Sequence, residues 1–113
     1  MDVVDRKAMP EGYQVQLVPE EVEGDGIFAP FHDWLDGRLG DFKFFRPYET
    51  DKGGVSPERW HLSYAPLSQR CLKDFHQDLL KKILANRQIE MRDLALKHLD
   101  VLWDRYFLNV DFP

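Results

Sequence analysis

The sequence predicts a small α+β fold: a small antiparallel sheet with a packed helix, followed by a C-terminal helical hairpin. Three observations carry that prediction. All seven glycines and five of the seven prolines fall within residues 1–65, which divides that stretch into short elements joined by turns. Within it, apolar and polar residues alternate in two segments with the period of a half-buried strand. From Pro66 onward, apolar residues recur every three or four positions, the period of a helix.

Taken in order, Met1–Val4 and Tyr13–Val18 read as strands, the second by its Tyr-Gln-Val-Gln-Leu-Val alternation. The acidic run Glu20–Asp25 misses the spacing of a calcium-binding loop and reads as a solvated turn ahead of a helix. Phe28, Phe31, Leu35 and Leu39 then predict an amphipathic helix, with Gly40 just past its end. Phe44–Tyr48 is a further short apolar element, and Asp51-Lys52-Gly53-Gly54 a loop. Arg59–Tyr64 alternates again, a strand with Trp60, Leu62 and Tyr64 on one face and His61 and Ser63 on the other. Two helical stripes follow, Leu67-Cys71-Phe75-Leu79-Ile83 and Met91-Leu94-Ala95-Leu99-Leu102-Tyr106, separated near Asn86-Arg87. Both stripes, Trp103 and Cys71 are expected in the core, so that residues 66–113 form a helical tail packed on the unit formed by residues 1–65.

At 113 residues and 43% hydrophobic content the chain can bury one core. The 15 basic residues against 20 acidic ones show no cluster, which argues against a surface that tracks nucleic-acid phosphates. A single cysteine rules out an intramolecular disulfide and any four-cysteine zinc cage, leaving histidine and carboxylates as metal ligands. No apolar stretch approaches the roughly 20 residues that cross a bilayer, and Met1–Asp5 lacks the basic start of a signal peptide, so a soluble chain is expected.

The chemistry concentrates in Gly53-Gly54-Val55-Ser56-Pro57-Glu58-Arg59-Trp60-His61. A glycine loop delivers Glu58 to the start of a strand, and His61 lies three residues on, on the face away from the aromatic residues. An imidazole so placed can bind a metal while the carboxylate upstream takes a proton from water. Short Glu/His spacings also arise by chance, in which case His61 is a hydrogen-bonded core histidine and Trp60 packing.

Glu58-Arg59-Trp60-His61 with the aromatic strand after it resembles the closing motif of the zinc D-alanyl-D-alanine carboxypeptidases and dipeptidases that trim bacterial peptidoglycan precursors. Phe44-Phe45-Arg46-Pro47-Tyr48 resembles the segment that precedes that motif, and the likeness runs over about residues 1–65. It implies half of a DD-peptidase/hedgehog-like domain, with His61 a zinc ligand and Glu58 the catalytic base or acid. Asp2 falls where the final Asp of the family's Ser-x-His-x-x-Gly-x-x-x-Asp motif would lie, and by that match is a second zinc ligand. The earlier part of the motif, with its His, has no counterpart, nor has the family's carboxylate-binding arginine. The resemblance therefore implies a chain that begins inside the zinc site.

It further implies a peptide substrate ending in D-Ala and a place in the bacterial cell envelope or cytoplasm. Among the other histidines, His32 is the one nearest to a substitute ligand. For His32, His76 and His98 alike, the sequence favours surface or capping roles. Arg46 and Trp60 are candidates for substrate contact, with a structural ion pair the favoured role for Arg46. A different class of function, a non-catalytic module binding peptide or protein through the same groove, also fits. Exposed sheet edges and apolar helix faces point to a homo-oligomer.

Overall fold

Prolines open the first three helices. In the computed structural model, which describes residues 1–113, Pro19 starts α1 (Pro19–Val22), and Pro30 and Pro66 sit in the first turns of α2 (Ala29–Asp36) and α3 (Ala65–Asp74). A first-turn N–H has no partner within the helix, so proline's missing donor costs nothing there. α2 covers the first part of the helix predicted from Phe28 to Leu39, ending at Asp36 with Gly37 rather than Gly40 past its end, and it turns Ala29, His32 and Leu35 inward.

The sheet is small and antiparallel: β1 (Phe44–Phe45) pairs with β2 (Ser63–Tyr64), with Phe44 opposite Tyr64 and Phe45 opposite Ser63. The strand predicted over Arg59–Tyr64 is cut back to β2, because Arg59 and Trp60 lie in a turn, and just before β2 the stretch pairs with Met1–Val3, where the predicted Met1–Val4 strand is reduced to a single bridge. Leu62 N donates to Met1 O at 2.8 Å and Val3 N to Trp60 O at 3.0 Å, around an antiparallel bridge between Asp2 and His61. Of the predicted inner face, Trp60 and Leu62 are buried, whereas Tyr64 lies at the surface against the Phe44 ring.

Tyr13–Val18 is not a strand, although its alternation does mark the buried side. Tyr13, Val15 and Leu17 pack on a core of Val22, Phe28 and Trp60, joined by Val4, Met9 and Ile27. The backbone goes elsewhere. Gln16 N and Leu17 N donate to the Glu21 carboxylate, Leu17 at 2.8 Å, and Leu17 takes a left-handed φ of 54°. A strand cannot continue through that conformation, and one carboxylate has taken the donors that a ladder would use. Glu21 also accepts the Tyr13 hydroxyl at 2.6 Å and is 5% exposed, which corrects the reading of its segment as a solvated turn. Burial opposes its ionisation, but the Tyr13 hydroxyl and the surrounding amides outweigh it and hold the carboxyl below the usual range. Gly26 lets the chain fold back here, since a Cβ would stand 2.5 Å from Glu20 O.

The tail departs furthest from expectation. It comprises α3, α4 (Gln77–Ala85), α5 (Arg92–Lys97), α6 (Leu99–Leu102) and a π turn at Trp103–Phe107, with breaks at Phe75–His76 and across residues 86–91. Its apolar stripes are not core: Leu99 is buried, but Leu67 is 62% and Met91 72% exposed, and Cys71 is exposed as well. Helices this short present apolar faces that no second layer covers. Trp103 and Phe107 stack, and Phe75 packs against both at a tilt, with ring centroids 5.2–5.7 Å apart, tying the end of α3 to the π turn. No helix is long and apolar enough to cross a membrane.

Only 11 of 113 residues are buried, and the radius of gyration of 16.8 Å exceeds the roughly 13 Å of a close-packed domain of this length. The chain is accordingly open, with its one tight core at the junction of α1, α2 and the segment preceding β2.

Candidate active site

Directly opposed residues of an antiparallel pair project to the same face, which is how the bridge joins two side chains 59 positions apart. His61 Nδ1 lies 2.7 Å from Asp2 Oδ1. On the side of Pro57, the chain makes a tight turn in which His61 N donates to Glu58 O at 3.0 Å. That turn brings Glu58 Oε2 to 3.9 Å from the same Nδ1. Asp2, Glu58 and His61, the three residues singled out from the sequence, therefore meet, and one ring nitrogen faces both carboxylates.

The group is neither sealed nor free. The side chains of Asp2, Glu58 and His61 are 45%, 31% and 29% exposed, open enough for a ligand to reach. Tyr48 lies over the imidazole, with ring centroids 5.1 Å apart, and its carbonyl accepts Glu58 N at 2.8 Å. Tyr48 thus holds both the ring and the start of the turn, a role that its place in a short apolar run gave no sign of. Beside His61 is a cavity of about 200 Å³, walled by Phe45, Tyr48, Ser63, Leu72 and Phe112.

Donor type suits zinc, since imidazole nitrogen and carboxylate oxygen are its usual partners. The ligand count stops short: no group of three or more His, Cys, Asp and Glu side chains has the arrangement to hold a metal ion. The residues present supply two zinc-type donors, His61 and Asp2, already hydrogen-bonded to each other, with the Glu58 carboxylate beside them. His32 does not extend the set. Contrary to its expected surface role it is fully enclosed, with neither ring nitrogen bonded to a protein partner. Burial pushes its pKa down to about 4, and the nearby cations Arg46 and Arg59 push the same way. His76 and His98 are exposed at helix boundaries, His76 before α4 and His98 between α5 and α6, as the sequence suggested.

Trp60 belongs to the core, on the side of its strand away from His61. A second cavity, of about 700 Å³, lies on that side, lined by Val22, Leu39, Arg46, Tyr48, Arg59 and Trp60, and contains none of the Asp2, Glu58 and His61 group. Arg46 is buried and structurally committed: its Nε donates to Arg59 O at 2.8 Å and its Nη1 pairs with Asp36. Arg59 in turn pairs with Asp33 and Asp36 at 2.7 Å and donates to Val22 O. Burial disfavours the charge on Asp36, but the two guanidiniums more than compensate and keep its carboxyl ionised below the usual range. This network locks α2 to the segment bearing the Glu58–His61 turn.

The chain is 28% identical over 110 residues to an uncharacterized protein of Haemophilus influenzae, an alignment that spans 96% of this chain and 84% of that protein. No family model matches it, and neither does any solved structure.

Proposed function

We propose that this chain is a zinc metallopeptidase-like protein similar to the D-alanyl-D-alanine carboxypeptidases, acting on short peptides that end in D-alanine. One observation carries the reading: Asp2 and His61 meet at 2.7 Å across 59 positions of sequence, with Glu58 beside them. The pairing supports the reading because it brings a second zinc-type donor to His61 from a distant segment. The bacterial cell wall or its precursors are the substrate source, which places the protein in the cell envelope or the cytoplasm of a bacterium.

In this reading His61 and Asp2 hold the metal. When bound, zinc supplies Lewis acidity that polarises a carbonyl and makes water more acidic. Glu58 takes the proton from the attacking water and returns it to the departing amine, the work of a general base that then acts as acid. Its partial exposure leaves it room to reach both positions. Tyr48 holds the imidazole against rotation, while the Arg59–Asp36 pair fixes the turn from behind. Arg46, spent on Asp36 and Arg59 O, is not assigned to substrate.

The count of two ligands favours one second reading, a non-catalytic module that binds peptide at the same groove. Zinc affinity, measured by competition with a chromophoric chelator alongside D-alanine release from a D-Ala-D-Ala peptide, separates the two. The peptidase reading predicts one zinc per chain, lost in His61→Ala, and hydrolysis that Glu58→Gln lowers by about a hundredfold or more while zinc remains. Absence of bound zinc at micromolar metal, with the peptide still bound, sinks it in favour of the module.

A further inference from the structure

The last residues of the tail return to the loop that leads to Glu58. Asp111 accepts Glu49 N at 3.0 Å, Thr50 N at 2.8 Å and the Thr50 hydroxyl at 2.8 Å, and it pairs with the Lys52 ammonium at 2.7 Å. Its own N–H donates to Pro47 O at 2.8 Å. Lys52 Nζ also donates to Val110 O at 2.8 Å, Asn109 Nδ2 to Lys52 O at 2.7 Å, and Arg105 Nε to Gly53 O at 2.6 Å. Contact is close enough that a Cβ at Gly54 would collide with Arg105 O. Hydrogen bonds thus fasten residues 105–111 to residues 47–53, across more than fifty positions of sequence.

Tyr48 lies inside the fastened segment. Both its contacts with the site, the ring over His61 and the carbonyl that accepts Glu58 N, depend on where the backbone of residues 47–50 is held. A loop with two glycines and a single proline between residues 48 and 58 does not hold itself in one place. We propose that Asp111 is a positioning residue, and that the segment Arg105–Asp111 is a strap that keeps Tyr48 against His61 and the Glu58 turn closed. The inference rests on reading Asp2, Glu58 and His61 as the reactive group. It gives the tail a task that its exposed helices do not otherwise disclose. Burial disfavours the Asp111 charge, but Lys52 and the Thr50 amide and hydroxyl outweigh it and hold the carboxyl at about 2, so the strap carries its full charge at neutral pH.

The test uses the whole metal-free chain at one fixed pH and reads the His61 ring protons by NMR, which the Tyr48 ring current displaces. Asp111→Ala is expected to move those resonances in the same direction as Tyr48→Leu, and to add nothing in the double variant, because the effect passes through Tyr48. Exchange of the Glu58 amide should quicken about tenfold or more, the ratio for loss of one charge-assisted hydrogen bond. Asp111→Asn, which keeps an acceptor for the two amides, should recover part of both signals. Unchanged signals of the Val22, Phe28 and Trp60 core distinguish release of the strap from general unfolding. If Asp111→Ala does not fold, Lys52→Met removes one partner alone and should give a smaller change of the same kind. His61 resonances that stay put in a folded Asp111→Ala chain, or that shift equally with and without Tyr48, overturn the proposal. Zinc chloride added to the wild type bears on the metal assignment alone, since the strap is read without metal.

Discussion

His32 is the group whose removal from water has the most calculable consequence. The side chain is 0% exposed and neither ring nitrogen has a protein partner, while burial and the cations Arg46 and Arg59 lower its pKa from 6.5 to about 4. In the unfolded chain the ring takes up a proton near pH 6.5, and in the folded chain it does not until about pH 4. Above pH 6.5 both states are neutral and the group adds no pH dependence. Between pH 6.5 and about 4 the unfolded state binds the extra proton, so stability falls as the pH falls and levels off below that window. A gap of that size corresponds to about 3 kcal/mol at its full extent. For a single-core chain this is a large share of a stability in the usual range of about 5–15 kcal/mol.

The assay is urea unfolding at steps from pH 7.5 to 4, followed by tryptophan fluorescence, on the wild type and His32→Leu. Leucine has a similar volume and no ring nitrogen to leave unpaired, so the variant should be equal or more stable at pH 7.5. Glu21 and Asp111, carboxylates also held below the usual range, lose stabilisation as the pH drops in both proteins and cancel in the difference. What remains is the histidine. The variant should gain on the wild type steadily below pH 6.5, by about 3 kcal/mol near pH 4. A difference that stays flat to within about 0.5 kcal/mol across that range would refute the enclosed, neutral histidine.

Other expectations are more local. Glu21→Ala strands the Gln16 and Leu17 amides and the Tyr13 hydroxyl, and should cost about 2–4 kcal/mol in urea unfolding; a cost under about 0.5 kcal/mol would mean the carboxylate does not organise that turn. Gly26→Ala places a methyl 2.5 Å from Glu20 O and should lower the melting temperature by several degrees, whereas an unchanged value would show that α1 can shift away. For the proposed peptidase, Glu58→Gln should reduce D-alanine release by about a hundredfold or more with zinc content unchanged, and equal rates in the two proteins would remove Glu58 from the mechanism. The uncovered stripes on the tail, with Leu67 62% and Met91 72% exposed, should drive self-association. Sedimentation at rising concentration is expected to show a growing species, and a single monomer throughout would contradict it.

How much was legible in the sequence varies from segment to segment. The helix at α2 and the alternation ending in β2 were legible because each buries one face against a continuous core, and burial of that kind imposes a period. The same logic recovered the inner face of Tyr13, Val15 and Leu17. It failed on their backbone, because the amide partner is a carboxylate four or five residues away rather than a strand, and hydropathy says nothing about where an N–H points. In the tail, period without burial misled: the stripes are genuinely helical, yet periodicity does not reveal whether anything covers the face it defines.

The site divides along the same line. The donor types, one imidazole and two carboxylates, and the Glu58–His61 spacing were legible in the sequence, but it read the link between them as the start of a strand, where the chain makes a four-residue turn closed by His61 N on Glu58 O. Only the tertiary structure decided that Asp2 faces His61, that Tyr48 covers the ring, that Asp111 fastens the loop and that His32 is sealed away from them. Each of these is a contact between segments distant along the chain or a fact of enclosure. Such things depend on how the elements close around one another, and no local spacing encodes them.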